Sequence, residues 1–445
     1  MTAAQGSGRR AVVAGFGVTG RAVAAYLAGR GDDVLVVEDH PTGDMHREAD
    51  RLGVRLQRFE PAALGGACMV VPSPGIPPHH PVYAEAARRG VPVVSEIELA
   101  WAAGGPRLAA ITGTNGKTTV TTLVDIILRR SGLRSTAAGN IGLPLIEAVR
   151  GGFDVVVAEV SSFQLQFTAG FRPAVSCWLN LAPDHLDWHP SLDDYADAKS
   201  KIWVNQREGD IAVFNCDDPV VAARAASIPE GVTRVGFSTG RSASYSVAAG
   251  TLVAPGGEPI LAVSDLPRAF PHDVSNSLAA AAVALSAGAG LEACRQTLAE
   301  APALPHRVEL VARARGVSWY DDSKATTPAS VLAAVAGFDS VVLIAGGRNK
   351  GLDLGALAGA VPPVRAAVAI GEATGEVVGA LSPLVEVKEA ATMKEAVEQA
   401  ARLVRPGDAV ILSPGCASFD WYHSYAERGE DFAAAVRELM DKGGA

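Results

Sequence analysis

The chain has 445 residues, of which 48% are hydrophobic and 20% charged, with a formal net charge of −9 at pH 7. That length exceeds what one core fills and, at about 150 residues per domain, implies about three domains. The apolar content excludes a disordered chain, and the acidic balance excludes a nucleic-acid surface, which needs clustered Lys and Arg.

Five cysteines, widely spaced and without a C-x-x-C pair, indicate neither a disulfide framework nor a zinc site and fit a reducing cytoplasm. Arg9-Arg10 before an apolar run superficially suggests a signal peptide, but Arg21 interrupts the run and its glycines fit a phosphate-type loop better. The run is a predicted strand, Ala11 to Ala14, then Gly15-Phe-Gly17-Val-Thr-Gly20, a helix to about Gly29 and a strand from Val34 to Val37 that ends in Glu38-Asp39. This βαβ pattern carries the G-x-G-x-x-G fingerprint. Alone it suits a dinucleotide, another nucleotide or a pyrophosphate, or simply a tight turn for helix packing. Further strand ends are predicted at Val70-Val-Pro-Ser73-Pro74-Gly75-Ile76 and over Val91 to Glu96, and Ala103-Gly-Gly-Pro106 reads as a linker.

The second segment opens on Ile111-Thr-Gly113-Thr114-Asn115-Gly116-Lys117-Thr118-Thr119. An apolar strand, glycines that admit backbone N–H groups to phosphate oxygens, a lysine for the β/γ-phosphates, a hydroxyl for Mg²⁺ and a following helix make a triphosphate cradle. It is a shortened variant of G-x-x-x-x-G-K-[ST], because Ile111 stands where the first glycine belongs. Glu159 ends the apolar strand Val155 to Ala158, where phosphate-loop enzymes keep a carboxylate for Mg²⁺. Asn180-Leu-Ala-Pro-Asp184-His185-Leu-Asp187 adds an imidazole that can bind a second metal or act as a base. Lys199, on a helical run from Asp193 to Trp203, reads by pattern as a solvated helix lysine. Val274 to Leu291 is uncharged but rich in Ala, Ser and Gly, so it is predicted as a buried helix and not a membrane span.

In the third segment, strands are predicted at Ser318 to Asp321, Val341 to Ala345, Ala366 to Ile370 and Ala409 to Leu412. Three polar loops follow strand ends: Tyr320 to Thr326, Gly346 to Gly351 and Ser413 to Phe419. If they converge they make a site for a small anion, favouring a carboxylate-bearing substrate. The fold class is therefore α/β with three domains: an N-terminal Rossmann-like unit, a central P-loop ATPase-like unit and a C-terminal Rossmann-like unit.

Thr112 to Thr119, Glu159-Val-Ser-Ser-Phe-Gln164, Asn180 to Asp187, His306-Arg307, Asp322-Ser-Lys-Ala-Thr326 and Ser413-Pro-Gly-Cys-Ala-Ser418 together resemble the Mur ligase family in order and spacing over nearly the whole chain. With Ser73-Pro-Gly-Ile76, several of these elements look like its D-glutamate-adding branch. The resemblance implies an ATP-dependent amide ligase that adds D-glutamate to UDP-N-acetylmuramoyl-L-alanine through an acyl phosphate, in cytoplasmic peptidoglycan precursor synthesis. It implies a UDP-sugar domain over 1–105, an ATP domain over 106–305 and an amino-acid domain over 306–445, with domain closure on substrates. The reacting and charge-balancing residues would be Lys117, Glu159, His185 and Lys199. ATP would be held by Gly113 to Thr119 with Asn276, Arg307 and Asp322. The UDP-substrate would be held by Gly17, Thr19, Glu38, Asp39, Ser73, Pro74, Gly75, Asn140 and Gln164. The glutamate would be held by Lys324, Thr326, Lys350, Ser418 and Phe419, with Tyr425 packing nearby.

Thr118 and Glu159 would carry one Mg²⁺, and His185 with a carbamylated Lys199 a second. Partners would be the three substrates, with no nucleic acid and no membrane span, and the protein would be a monomer. One departure is Glu38-Asp39-His40, where familiar relatives carry Asp-Thr-Arg; if His40 replaces that cation, UDP-sugar binding should be weaker or pH-dependent. Other readings are a different amide ligase of the family, including a folylpolyglutamate-type enzyme, or an ATP-dependent regulatory module.

Overall fold

The computed structural model describes residues 8–301 and 304–442. Its contacts divide into two units. The first holds the described residues up to Leu181 with Asp193–Ile260 and Ser277–Thr297; the second holds Ala182–Leu192, Leu261–Asn276 and the described residues from Leu298 onward.

The first unit contains two sheets. The N-terminal one has strands β1 (Arg10–Ala14), β2 (Asp33–Val37), β3 (Arg55–Gln57) and β4 (Ala67–Pro72) in the order β3-β2-β1-β4, all pairs parallel. Both faces are covered, so β1 is apolar at successive positions: Ala11 and Val13 enter one core, Val12 and Ala14 the other. Gly20 sets how closely the helix Val18–Gly29 approaches β1, since a Cβ there would lie 2.0 Å from the Gly15 carbonyl oxygen.

Val91 to Glu96 is not the strand expected from its valines. Only Val93 bridges Val70, Pro92 has no N–H to offer a ladder, and the chain enters the helix Glu96–Ala102 with two acids in its first turn. Those acids tie the N-terminal sheet to the central one. Glu96 accepts the Ile146 N–H at 2.6 Å, and Glu98 accepts the N–H groups of Ala169, Gly170 and Phe171.

The central sheet has nine strands: β5 (Arg107–Thr112), β6 (Ser135–Gly139), β7 (Val155–Glu159), β8 (Val175–Trp178), β9 (Ile211–Asn215), β10 (Thr233–Ser238), β11 (Tyr245–Ala248), β12 (Thr251–Ala254) and β13 (Glu258–Ala262). Their order is β13-β12-β11-β10-β9-β8-β5-β7-β6, parallel from β6 through β11. β6 and β7 lie on one side of β5 and β8 to β13 on the other, so the C-terminal end of β5 is a topological switch point where open α/β sheets bind ligands. The uncharged stretch from Val274 is buried as expected, in the helix Pro271–Ser286, with Leu278 to Ala284 fully covered. Among the described residues no helix is long and apolar enough to cross a membrane.

In the second unit a six-stranded sheet uses β14 (Glu309–Ala314), β15 (Val317–Asp321), β16 (Val341–Gly346), β17 (Val364–Ile370), β18 (Glu386–Ala390) and β19 (Ala409–Leu412) in the order β14-β15-β19-β16-β17-β18. The four interior strands are those the sequence predicts. The edge strands β14 and β18 are half exposed and too polar to be read as strands. β19 returns between β15 and β16, so the ends of these three strands lie side by side.

Candidate active site

The phosphate loop follows β5 at its switch point. Gly116, in a left-handed conformation (φ 83°), caps the helix Lys117–Arg130, and no side chain occupies that cap. Lys117 folds back to donate to the carbonyls of Gly113 and Thr114, at 2.9 Å each. The loop is stapled by Asn180, two residues past the end of β8, whose Oδ1 accepts the Thr114 and Asn115 N–H groups at 3.1 and 2.9 Å and whose Nδ2 donates to the Asn115 carbonyl. The sequence marks Asn180 only as the start of a polar cluster.

Glu159 ends β7 and is 2% exposed. Its Oε1 accepts from Asn140 Nδ2 at 2.8 Å, and its Oε2 is buried with no hydrogen-bond partner. An orphaned carboxylate oxygen beside a phosphate loop fits a hard dication. Lys199 is 1% exposed, contrary to its reading as a solvated helix lysine. Its Nζ donates to the Gly113 carbonyl at 2.9 Å and lies 4.5 Å from the Tyr195 ring centre. Burial follows from the helix Leu192–Val204: Lys199 lies four residues from both Tyr195 and Trp203, on the covered face.

At the N-terminal sheet, Gly17 begins the helix Val18–Gly29 with no side-chain cap, and Thr19 sits in its first turn. Ser73, from the end of β4, donates its hydroxyl to the Gly15 carbonyl, and Pro74 and Gly75 continue that turn. Glu38 accepts the N–H groups of Phe16 and His40, so it shapes the glycine loop; His40 itself is exposed. Asp39 is oriented by a histidine the sequence reading passed over. His80 Nδ1 accepts the Val82 N–H, which leaves the ring proton on Nε2 to donate to Asp39 at 3.2 Å. Gln164 is buried and completes a capping box through Ser161.

The second unit holds the remaining candidates. The three loops expected to converge do so: Gly346 N–H donates to Pro414, Arg348 and Ala417 exchange backbone bonds, and Gly415 N–H donates to Ala325. Arg428, 1% exposed, locks two of them by donating to Ser323 and to the carbonyls of Cys416 and Ala417. Lys324 Nζ lies 3.6 Å from the Tyr425 ring centre. Thr326 is half-buried, Ser418 is buried and Phe419 is 63% exposed. Asp322 accepts from Ser413 Oγ and Val308 N–H, and burial pushes its carboxyl up to about 7. The Arg307 carbonyl is held by Arg268. His306 Nδ1 meets Asp321 at 2.6 Å, and Asn276 sits in the second turn of its helix. His185, with a positive φ of 55°, places Nε2 3.3 Å from its neighbour Asp184.

Three α/β sheets in succession along the chain, the second carrying a phosphate loop and the last a basic loop cluster, define a nucleotide-dependent ligase architecture. The chain belongs to the Mur ligase family. Family models match in succession the MurD-like N-terminal domain (residues 9–95), the Mur ligase middle domain (111–284) and the Mur ligase glutamate ligase domain (306–416). Members are ATP-dependent, ADP-forming amide ligases.

The chain is 43% identical over 451 residues to the UDP-N-acetylmuramoylalanine--D-glutamate ligase of Frankia casuarinae, covering 97% of this chain and 94% of that one. It is 40% identical over 445 residues to the ligase of that name from Geobacter metallireducens, covering 97% and 98%. Solved structures share the fold. MurF from Acinetobacter baumannii matches at TM-score 0.63 and 19% identity, covering 98% of this chain and 91% of that one. UDP-N-acetylmuramate-alanine ligase from Thermotoga maritima matches at 0.59 and 18%, covering 97% and 99%.

Proposed function

We propose that this chain joins D-glutamate to UDP-N-acetylmuramoyl-L-alanine at the expense of ATP. The observation that carries the chemistry is the glycine-capped loop bearing Lys117 beside Glu159, whose Oε2 is buried without a partner. The choice of substrates rests on likeness to relatives of that name over nearly the full chain.

In this reading the terminal carboxylate of the L-alanyl group attacks the γ-phosphorus and ADP leaves. The acyl phosphate so formed is attacked by the glutamate amine; phosphate leaves, the nitrogen loses a proton, and an amide remains. The carboxylate needs ATP because oxide is too poor a leaving group. Lys117 turns from the loop carbonyls to the β/γ-phosphates, and the loop N–H groups hold their oxygens. Asn180 keeps those N–H groups in place. Thr118 and Glu159 would hold one Mg²⁺, and His185 with Lys199, if carbamylated, a second. Mg²⁺ when bound neutralises phosphate oxygens and orients them.

Asn140 presents Glu159 and can also meet the muramoyl substrate, while the glycine loop after β1, with Ser73 to Gly75 and Asp39, would take the UDP group. Lys324, Thr326, Lys350, Ser418 and Phe419 would hold the glutamate. Asn276, Arg307 and Asp322 would complete the nucleotide site. The enzyme would act as a cytoplasmic monomer, with domains near 1–105, 106–305 and 306–445. The test is mass spectrometry of the product. A species equal to the UDP-substrate plus glutamate minus water supports the reading, and its absence with all three substrates and Mg²⁺ present refutes it.

A further inference from the structure

The loops after β15, β16 and β19 bring two lysines, Lys324 and Lys350, to one end of the sheet. On charge alone this is a receptor for a dicarboxylate. An amide-forming ligase needs more, because its nucleophile is an amine: a diacid such as glutarate would fill such a site and go no further.

Asp184 supplies the missing charge. It belongs to the second unit, through the segment Ala182–Leu192, together with these loops. Its residue is 7% exposed, and Oδ1 lies 4.0 Å from Lys350 Nζ. Oδ1 also accepts the His185 N–H at 2.9 Å, while Oδ2 lies 3.3 Å from His185 Nε2. The two charges attract, yet they stand beyond hydrogen-bond range. A fixed anion and a cation about 4 Å apart, without direct contact, match the head of an α-amino acid, which carries an ammonium and a carboxylate on one carbon.

We propose that Asp184 is the residue that receives the α-ammonium of the incoming amino acid, and that with Lys350 it selects amino acids over diacids. The proposal rests on the ligase reading. When the amino acid enters, Lys350 turns from Asp184 to the α-carboxylate and Asp184 takes the ammonium, so each charge exchanges one partner for another. The side-chain carboxylate is left to Lys324, Thr326 and Ser418. Asp184 thereby aims the nitrogen from the same turn that presents His185.

The test is calorimetric binding of D-glutamate and of glutarate to the full chain with Mg²⁺, UDP-N-acetylmuramoyl-L-alanine and a non-hydrolysable ATP analogue, which prevents turnover. Wild type should bind D-glutamate more tightly than glutarate. Asp184→Asn should weaken D-glutamate by about tenfold or more and leave glutarate unchanged or tighter. Lys350→Met should weaken both ligands. Unchanged affinity for the ATP analogue in D184N would show that the loop is intact, and a purely structural role would weaken both acids alike. Equal losses for the two acids in D184N, or no loss for either, would overturn the proposal while leaving the ligase reading standing. A wild-type protein that binds no D-glutamate would overturn both.

Discussion

Asn140 Nδ2 donates to Glu159 Oε1 at 2.8 Å, and this single bond fixes which carboxylate oxygen is left facing away without a partner. Glu159 ends β7 and Asn140 directly follows the neighbouring β6, and the Asn140 N–H also donates to the Glu159 carbonyl. In the proposed reading Asn140 would therefore act on the metal site, through Glu159, as well as on the muramoyl substrate.

Asn140→Ala should raise the Mg²⁺ concentration needed for half-maximal activity by roughly 10- to 100-fold, the usual cost of losing a residue that orients a metal ligand. A Mg²⁺ titration of ATP turnover measures it. A rise in KM for the UDP-substrate alone, with the Mg²⁺ response unmoved, would confine Asn140 to substrate contact.

Asn180→Ala removes the acceptor of two loop N–H groups. The KM for ATP should rise about tenfold or more, since each unmet N–H costs roughly 1–3 kcal/mol. Asn180→Asp keeps the acceptor but loses the bond to the Asn115 carbonyl and places an anion beside the phosphates, so it should also bind ATP poorly and lose some stability. Steady-state kinetics and thermal unfolding separate the two effects.

Lys199 should carry a carbamate, formed when its neutral amine adds CO₂ and releases a proton. A ¹³C resonance from labelled bicarbonate should appear in wild type and be absent in Lys199→Met, whose activity should fall roughly 100-fold. No labelled resonance in an active wild-type enzyme would remove the carbamate from the site.

Glu96 couples the N-terminal sheet to the central one, and burial pushes its carboxyl up to about 7. The unfolded chain releases this proton near pH 4.5, so the stability it contributes is full below that pH and is lost as pH rises through about 7. Glu96→Gln cannot ionise. Between pH 5 and 8 the variant should gain on wild type by on the order of 2–3 kcal/mol, read as a narrowing or reversing Tm difference. Asp322, raised for the same reason, keeps part of the slope in both proteins.

Much of this was legible because parallel strands covered on both faces are continuous apolar runs, as at Val155–Glu159 and Val341–Gly346. Loops at their ends carry residues whose chemistry is specific, so the phosphate loop and the Lys324 and Lys350 loops could be placed without coordinates. Edge strands such as Glu386–Ala390 could not, because one side of each meets water. Local pattern reads Lys199 as solvated, although its spacing from Tyr195 and Trp203 puts it on a buried face. The roles of Asn180 and His80 depend on partners 65 and 41 residues away, which no local pattern carries.

The central claim is tested most directly by phosphate release from ATP with Mg²⁺ and UDP-N-acetylmuramoyl-L-alanine, comparing D-glutamate, L-glutamate and the other cell-wall amino acids. The account expects release that requires both the UDP-substrate and D-glutamate. Release with another amino acid in place of D-glutamate would assign a different ligase of the family, and release indifferent to both partners would contradict the ligase account.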